Sequence, residues 1–490
     1  MNQSIIKYIL GKVLAIVGLL MAVPIVTGII YHEQETLAYV AVGVVSFLLG
    51  HFVSRKKPKN TVFYLKEGCV VTALSWILIS IVGAIPFMLT GEIPNFIDAM
   101  FETSSGFTTT GASILRDVEA LSHASLIWRS FTHWIGGMGV LVFLLAVIPM
   151  SGGSNINLMR AESPGPSVGK LVPKIKGSAS ILYKIYLGIT IAQFIILLLA
   201  KMPVFDAICI TFGSAGTGGF GVRNDSCGSY TALQQWIIAI FCVMFGVNFN
   251  FYYFILAKDI KKSLKMEEVR TYFCIIAASV ILIFFNIRDS FSTVESALRA
   301  SFFQVGSIIT TTGYSTVDFN LWPTFSKAIL VLLMFVGACA GSTGGGFKVS
   351  RIIIAFKTFL KEANSYIHPK SVKKIKMDGE CVEHDVIRSI NVYTITYLTI
   401  FVISVLLVAI EGKDLVTTFT AVAATYNNIG PGLAQVGPAA NYFGMSYFSK
   451  IVLIFDMIAG RLELFPMLIL FHPEVLKETF IRKRCSQKNA

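Results

Sequence analysis

Four short runs of threonine, asparagine and glycine are the places where this sequence could do chemistry. Thr109, Thr110 and Gly111 close the segment FETSSGFTTTG, and Thr311, Thr312 and Gly313 close FQVGSIITTTG. Thr217, Gly218 and Gly219 lie in TFGSAGTGGFG, and Asn428, Ile429 and Gly430 lie in ATYNNIGPG. Glycine lets the backbone aim consecutive carbonyls at one point, and threonine hydroxyls add further oxygens. Four such strands around one axis make a ring of oxygens that can replace the water shell of a monovalent cation. No Lys or Arg falls within the four segments, so nothing in them suits an anion.

Competing chemistries fit poorly. GTGGFG at 216–221 has the spacing of a dinucleotide-binding turn, but that reading needs a βαβ unit and an acid about twenty residues on. Position 241 is Phe241, inside an apolar run. GACAGSTGGG at 337–346 is followed by Phe347 and Lys348, and so lacks the GK[ST] of a phosphate-binding loop. There is no HExxH and no acid pair spaced for an intramembrane protease. The eight cysteines show no CxxC, which points to neither a zinc site nor a disulfide framework. The chain reads as something other than an enzyme, with no organic cofactor of its own.

The elements that must position these runs repeat with them. The first and third segments share six of eleven positions, and alignment of all four on their glycines gives separations of 108, 94 and 117 residues. Each copy follows an apolar helix (67–90, 179–201, 271–288, 386–410) and a stretch of about a dozen residues opened by an acid: Asp98, Asp206, Glu295 or Asp414. Acids suit the positive end of a helix dipole. A second long apolar helix then follows (124–150, 231–257, 324–360, 446–471). A helix of a dozen residues cannot cross a ~30 Å hydrocarbon core, so it must enter and return where protein or water surrounds it. Its C-terminal, negative dipole end then lies beside the Gly/Thr run and favours a cation there.

The predicted fold is an all-α polytopic membrane protein. It has four helix–pore-loop–helix repeats around one central pore, plus two extra N-terminal transmembrane helices (5–30 and 37–53). The corresponding divisions are 1–60 for the leading helices, 61–160, 161–265 and 266–375 for the first three repeats, and 376–490 for the fourth with a basic tail.

Composition agrees. Of 490 residues, 54% are hydrophobic and 14% charged, against about 25% charged in soluble domains; the mean hydropathy is +0.70. That excludes a soluble enzyme. The net charge of +13 suggests nucleic acid only until the basic residues are placed. Thirty-one of the 41 Lys and Arg fall at 7–12, 55–66, 160–184, 258–270, 348–388 and 477–488, in alternate inter-helix segments. This is the positive-inside pattern, with both termini cytoplasmic. The Gly/Thr runs then open outward, flanked by Glu92, Asp117, Asp225, Asp289 and Asp318. Lys7 and Lys12 precede the first apolar run without a small-x-small cleavage site, which predicts a retained helix.

Two features lie outside the four runs. Gly341, Ser342, Thr343, Gly344, Gly345 and Gly346 are too small to hold a helix. They predict a break beneath the ring, just before Lys348, placed to obstruct or open the path; the bland alternative is a packing kink. In the last helix Asp456, Arg461 and Glu463 are intramembrane charges, which usually face the bundle interior or a water path. Arg461 below a cation filter would raise a barrier to ions. Its bland alternative is a pair with Glu463 or Asp456 that locks packing.

SSGFTTTGAS, AGTGGFG, ITTTGYST, NNIGPG and AGSTGGGFKVSR, in that order, resemble the Trk/Ktr/HKT superfamily of potassium-uptake proteins. The two leading helices and GRLELF at 460–465 resemble its bacterial TrkH type, over about residues 5–475. The resemblance implies a potassium filter lined by the four glycines and the residues just before them. A glycine in all four loops goes with potassium preference, a serine in the first with sodium. It further implies a gating loop at AGSTGGG, a pore arginine at Arg461, and a homodimer in the bacterial cytoplasmic (inner) membrane. A cytosolic nucleotide-binding, TrkA-like regulatory subunit is also implied. The basic loops, above all 348–388, are candidate docking surfaces for it or for membrane lipids. The expected activity is passive potassium uptake through a gated, channel-like pore. The alternative is a proton- or sodium-coupled symporter, for which Asp456, Glu463, His133 and Glu102 are the titratable candidates. Because GTGGFG and NNIGPG depart from TTTG, moderate discrimination among potassium, rubidium and caesium is expected.

Overall fold

Apolar runs of this length form helices because a bilayer leaves backbone groups no partner but each other. The computed structural model describes residues 1–58, 64–139, 175–369 and 374–478, and these are mostly helical. Several expected features lie outside the described residues: Lys59, Arg160, Lys170, Lys174, Lys370, Lys373, the tail beyond 478, and the second half of the helix at 124–150.

The chain opens with α1 (Gln3–Leu20) and α2 (Ala22–Ile30), which form one 28-residue span, and returns through α3 (Thr36–Val53). Helices α1 and α3 meet through Gly11 and Gly18 on one and Gly43 and Gly50 on the other. A side-chain carbon on Gly18 would sit 2.6 Å from the Gly43 carbonyl oxygen. Small residues let helix backbones touch where lipid supplies no hydrophobic drive.

The order long helix, short helix, extended segment, second helix then occurs four times. Its first passage is α4 (Leu65–Leu89), α5 (Phe96–Phe107) and α6 (His123–Gly137). The second is α7 (Ile175–Leu199), α8 (Val204–Gly216), α9 (Ala232–Phe245) and α10 (Phe249–Leu256), with α11 (Ile260–Lys265) leading onward. The third is α12 (Glu267–Ile287), α13 (Val294–Ile309), α14 (Thr324–Val336) and α15 (Val349–Ile367). A two-stranded hairpin, β1 (Lys376–Met377) and β2 (Glu380–Cys381), precedes the fourth. That comprises α16 (His384–Ala409), α17 (Leu415–Tyr426), α18 (Tyr447–Arg461) and α19 (Phe465–Leu470). Among the described residues six helices are long and apolar enough to cross a membrane: α1 with α2, α3, α4, α7, α12 and α16.

The short helices start as the acids suggested. Asn95, Thr293 and Asp414 accept backbone N–H bonds as caps, while Pro203 precedes α8. Asp98 lies in the first turn of α5 and pairs with buried Lys450 of α18 at 2.6 Å.

None of the second helices described to its end runs unbroken; the break in the third was expected from its glycines, those in the second and fourth were not. Helices α9 and α10 bend by 91° across 246–248, α14 and α15 are separated by 337–348, and α18 stops at Arg461 before two left-handed residues, Glu463 and Leu464. Glycines bring the second helices against the short ones. A carbon on Gly136 would strike the Phe107 carbonyl, and one on Gly460 the Tyr426 carbonyl. Periodicity registers apolar length and says nothing of such backbone contacts.

Candidate functional site

The four extended segments share one backbone pattern. Thr109, Thr217, Thr311 and Asn428 are left-handed (φ 56, 54, 59 and 56°), and two residues on Gly111, Gly219, Gly313 and Gly430 are left-handed again (φ 79, 83, 86 and 97°). Alternation of this kind turns successive carbonyls to one side of the strand, and only glycine takes its second position without strain.

The segments close on one another in order. A side-chain carbon on Gly111 would collide with the Gly218 carbonyl, one on Gly219 with Thr312, and one on Gly313 with Ile429. One on Gly430 would lie 2.7 Å from the Thr110 carbonyl, which completes the circle. The four segments that hold the twelve residues singled out in the sequence therefore meet around one circle. Thr109 Oγ1 and Asn428 Oδ1 are in addition buried without a hydrogen-bond partner. Buried oxygens with spare lone pairs fit a cation.

Side chains brace the ring from outside. His133 donates from Nδ1 to the Gly106 carbonyl (2.7 Å) and accepts at Nε2 from the Phe220 N–H (3.2 Å), tying the first segment to the second. Glu102 accepts from Arg129 Nε (2.8 Å), Ser113 Oγ and the Ile114 N–H, and Arg129 also donates to the Gly221 carbonyl. Tyr442 donates to the Gly430 carbonyl at 2.8 Å while its N–H reaches the Ser113 carbonyl, joining the fourth segment to the first.

Beneath the third and fourth segments lies the loop 337–348. Gly345 donates its N–H to Thr311 Oγ1 at 2.6 Å, and its backbone is so close to Asn427 that an added carbon would stand 2.7 Å from that carbonyl. Thr343 is fully buried and bonds to the Phe245 carbonyl, Ser342 Oγ donates to the Cys339 carbonyl, and Lys348 Nζ donates to the Gly344 carbonyl. Gly341 and Gly346 supply left-handed turns (φ 70 and 76°). Arg461 donates to the Thr343 carbonyl (2.9 Å) and to the carbonyls of Gly136 (2.5 Å) and Gly137 (2.8 Å). Neither acid expected as its partner takes that part. Glu463 pairs with Arg351, and Asp456 accepts from Ser404 Oγ at 2.6 Å. A planar guanidinium with five donors spans three carbonyls that no single carboxylate would bring together.

On the other side of the ring is a vestibule of about 200 Å³ that reaches all four glycines. Its walls include Arg116, Arg129 and Arg223 and, among the described residues, no carboxylate, although acids were expected to flank the runs. Arg129 and Arg223 are neutralised by Glu102 and Asp206, and Arg116 stacks on the Phe443 ring at 3.9 Å.

Residues 36–480 match the family described as TrkH, cation transport protein. The chain belongs to the TrkH family. It is 34% identical, over 98% of its length and all of the relative's, to the Trk system potassium uptake protein TrkH of Salmonella typhimurium. It is 32% identical to the Trk system potassium uptake protein TrkG of Escherichia coli K12, over 96% of this chain and 99% of that one. Its fold matches the crystal structure of the potassium transporter TrkH from Vibrio parahaemolyticus with a TM-score of 0.86 and 31% identity, covering 97% of this chain and 99% of that chain. This membership and the apolar spans make the chain an all-α membrane protein of a transporter family, not of an enzyme family.

Within this TrkH-family chain, sequence reasoning missed one buried residue. Glu268 of α12 accepts from the N–H groups of Ala340 and Ser350 at both ends of the loop. It read as part of a charged cytoplasmic linker. An acid at the very start of an apolar span was the available signal.

Proposed function

We propose that the chain is a potassium-uptake protein: a gated, channel-like conduit whose filter is the ring around Gly111, Gly219, Gly313 and Gly430. The observation that carries this reading is the closed circle of glycine-against-carbonyl contacts, since carbonyls gathered around one axis can supply the oxygens a dehydrated monovalent cation would need. Of the residues two before each glycine, Thr109 and Asn428 have side-chain oxygens buried without a partner and so free to add to the set. Potassium is the cargo by kinship, since the relatives bear potassium-uptake names. On this reading the loop 341–346 with Lys348 and Arg461 obstructs the path below the filter.

Transport is passive. Three of the four titratable candidates for coupling are already engaged, Glu102 by Arg129, Glu463 by Arg351 and His133 by two backbone groups, while Asp456 is held by Ser404 through one oxygen and keeps the other without a partner. The chain sits in the bacterial cytoplasmic membrane with both termini inside. It works as a homodimer with a cytosolic nucleotide-binding regulatory subunit docked on its basic loops.

The test is cation flux into proteoliposomes holding this chain alone. Flux that prefers potassium and rubidium over sodium and lithium, and halts at the Nernst potential, supports the conduit. Flux that continues beyond that potential when a proton or sodium gradient is applied replaces it with coupled transport.

A further inference from the structure

Two breaks in the helical framework converge on one carboxylate. Glu268 is 4% exposed, and no ion pair joins it to a Lys or Arg among the described residues. Its Oε1 accepts from the Ala340 N–H at 2.7 Å and the Ser350 N–H at 3.1 Å; its Oε2 accepts from Asn248 Nδ2 at 3.2 Å. Ala340 begins the loop beneath the ring, Ser350 lies just past its end, and Asn248 stands in the bend between α9 and α10. That bend grips the same loop, since Cys339 donates to the Gly246 carbonyl and Phe249 to the Gly341 carbonyl. A buried carboxylate without a cation persists only where donors are aimed at it. Here all the donors belong to the loop and the neighbouring break.

The helix that carries Glu268 is itself pinned from its other side. The Glu267 N–H donates to Asp378 Oδ1 in the β1–β2 hairpin at 2.6 Å. The Glu267 carboxylate pairs with Lys357, which also donates to the Lys376 carbonyl. One backbone position thus separates the hairpin's grip from the loop's.

We infer that Glu268 is a positioning residue that latches the loop 337–348 beneath the ring, and that Asp378 of the hairpin sets the register of the latch. This rests on the reading of the loop as the obstruction in the path. Motion of the hairpin along the axis of α12 shifts Glu268 and loosens both ends of the loop together.

Potassium flux through the full chain in proteoliposomes tests it, with Glu268→Ala and Glu268→Gln placed in the natural loop and in a chain shortened within 341–346. Glu268→Ala is expected to raise basal flux on the order of tenfold, the scale set by loss of a buried charged acceptor. Glu268→Gln keeps a carbonyl at Oε1 for both N–H groups and should stay near the unsubstituted rate. In the shortened chain Glu268→Ala should add nothing. A second readout is the rate at which a thiol reagent labels Ser342→Cys, with exposed Cys274 and Cys381, and Cys485 of the tail, changed to Ser. Glu268→Ala should quicken that labelling.

Equal effects of Glu268→Ala with and without the full loop, or an unchanged labelling rate at position 342, overturn the latch. A shortened chain with unaltered basal flux instead overturns the obstruction reading, while thiol labelling still reports the latch. Should Glu268→Ala not fold, Asn248→Ala and Asp378→Ala carry the same comparison. A labelling rate indifferent to both overturns it.

Discussion

The Gly345 N–H donates to Thr311 Oγ1 at 2.6 Å, so the loop holds the third segment of the ring by its own side chain. A hydroxyl engaged below the ring is less available to face its axis. The position of the loop and the oxygen set of the ring are therefore coupled through one bond.

Thr311→Val removes that acceptor and leaves a buried N–H unpaired, at a cost of ~1–3 kcal/mol. Basal potassium flux should rise ~5–150-fold, and Thr311→Ser, which restores the hydroxyl, should return it toward the starting rate. Equal flux in the two variants would mean that the bond does not bias the loop.

The ring glycines should not be equivalent. A side chain at Gly313 meets the Ile429 carbonyl at closer range than one at Gly430 meets Thr110, and both positions are left-handed. That backbone alone costs a non-glycine residue ~1–2 kcal/mol. Gly313→Ser is expected to lower the potassium-over-sodium ratio on the order of tenfold, and Gly430→Ser by less, with both proteins still folded. Bi-ionic flux ratios decide, and unchanged ratios in both would remove these glycines from the filter.

Arg461 contacts three carbonyls from two different elements. Arg461→Ala should raise basal flux and leave ion ratios intact, since the filter lies above it. Arg461→Lys, with a single compact ammonium in place of the fork, should fall between. A basal rate indifferent to both changes would make the residue a packing element.

Asp414 caps α17 through its bonds from the Thr417 hydroxyl and N–H, and these hold its carboxyl below the usual range. A depressed folded value stabilises the fold above the unfolded value of ~3.9, and that contribution fades as pH falls through it toward the folded value. Asp414→Asn keeps one acceptor and loses the charge. Its melting temperature should lie slightly below the natural protein's from pH ~8 to ~5, and the gap should narrow below ~4. A gap independent of pH would show that the cap acts through geometry alone.

Much of this was legible in the chain. The positions of Gly111, Gly219, Gly313 and Gly430 in one circle follow from a repeat that sequence displays directly, and the spans follow from apolar length. The glycine run at 341–346 announced one break in the second helices, but those near Gly246 and Gly460 were hidden, because each glycine is ordinary in an apolar run until another backbone or a packed side chain lies against it. Glu268 was hidden for a related reason: the donors that make burial tolerable come from Ala340 and Ser350, more than seventy residues away. The partners of Arg461 are main-chain carbonyls, which carry no residue identity at all.

The circle of four unequal segments has a consequence for how such a pore can vary. Four identical subunits would bring four copies of the loop 337–348 and four arginines into the same narrow space, and they would exclude one another. One covalent chain carries a single loop, supplied by the third quarter, and a single Arg461, supplied by the fourth. Each quarter is thus free to change alone. On the proposed reading, closure needs one lock and one bolt, where fourfold symmetry would have demanded that every part be made in quadruplicate.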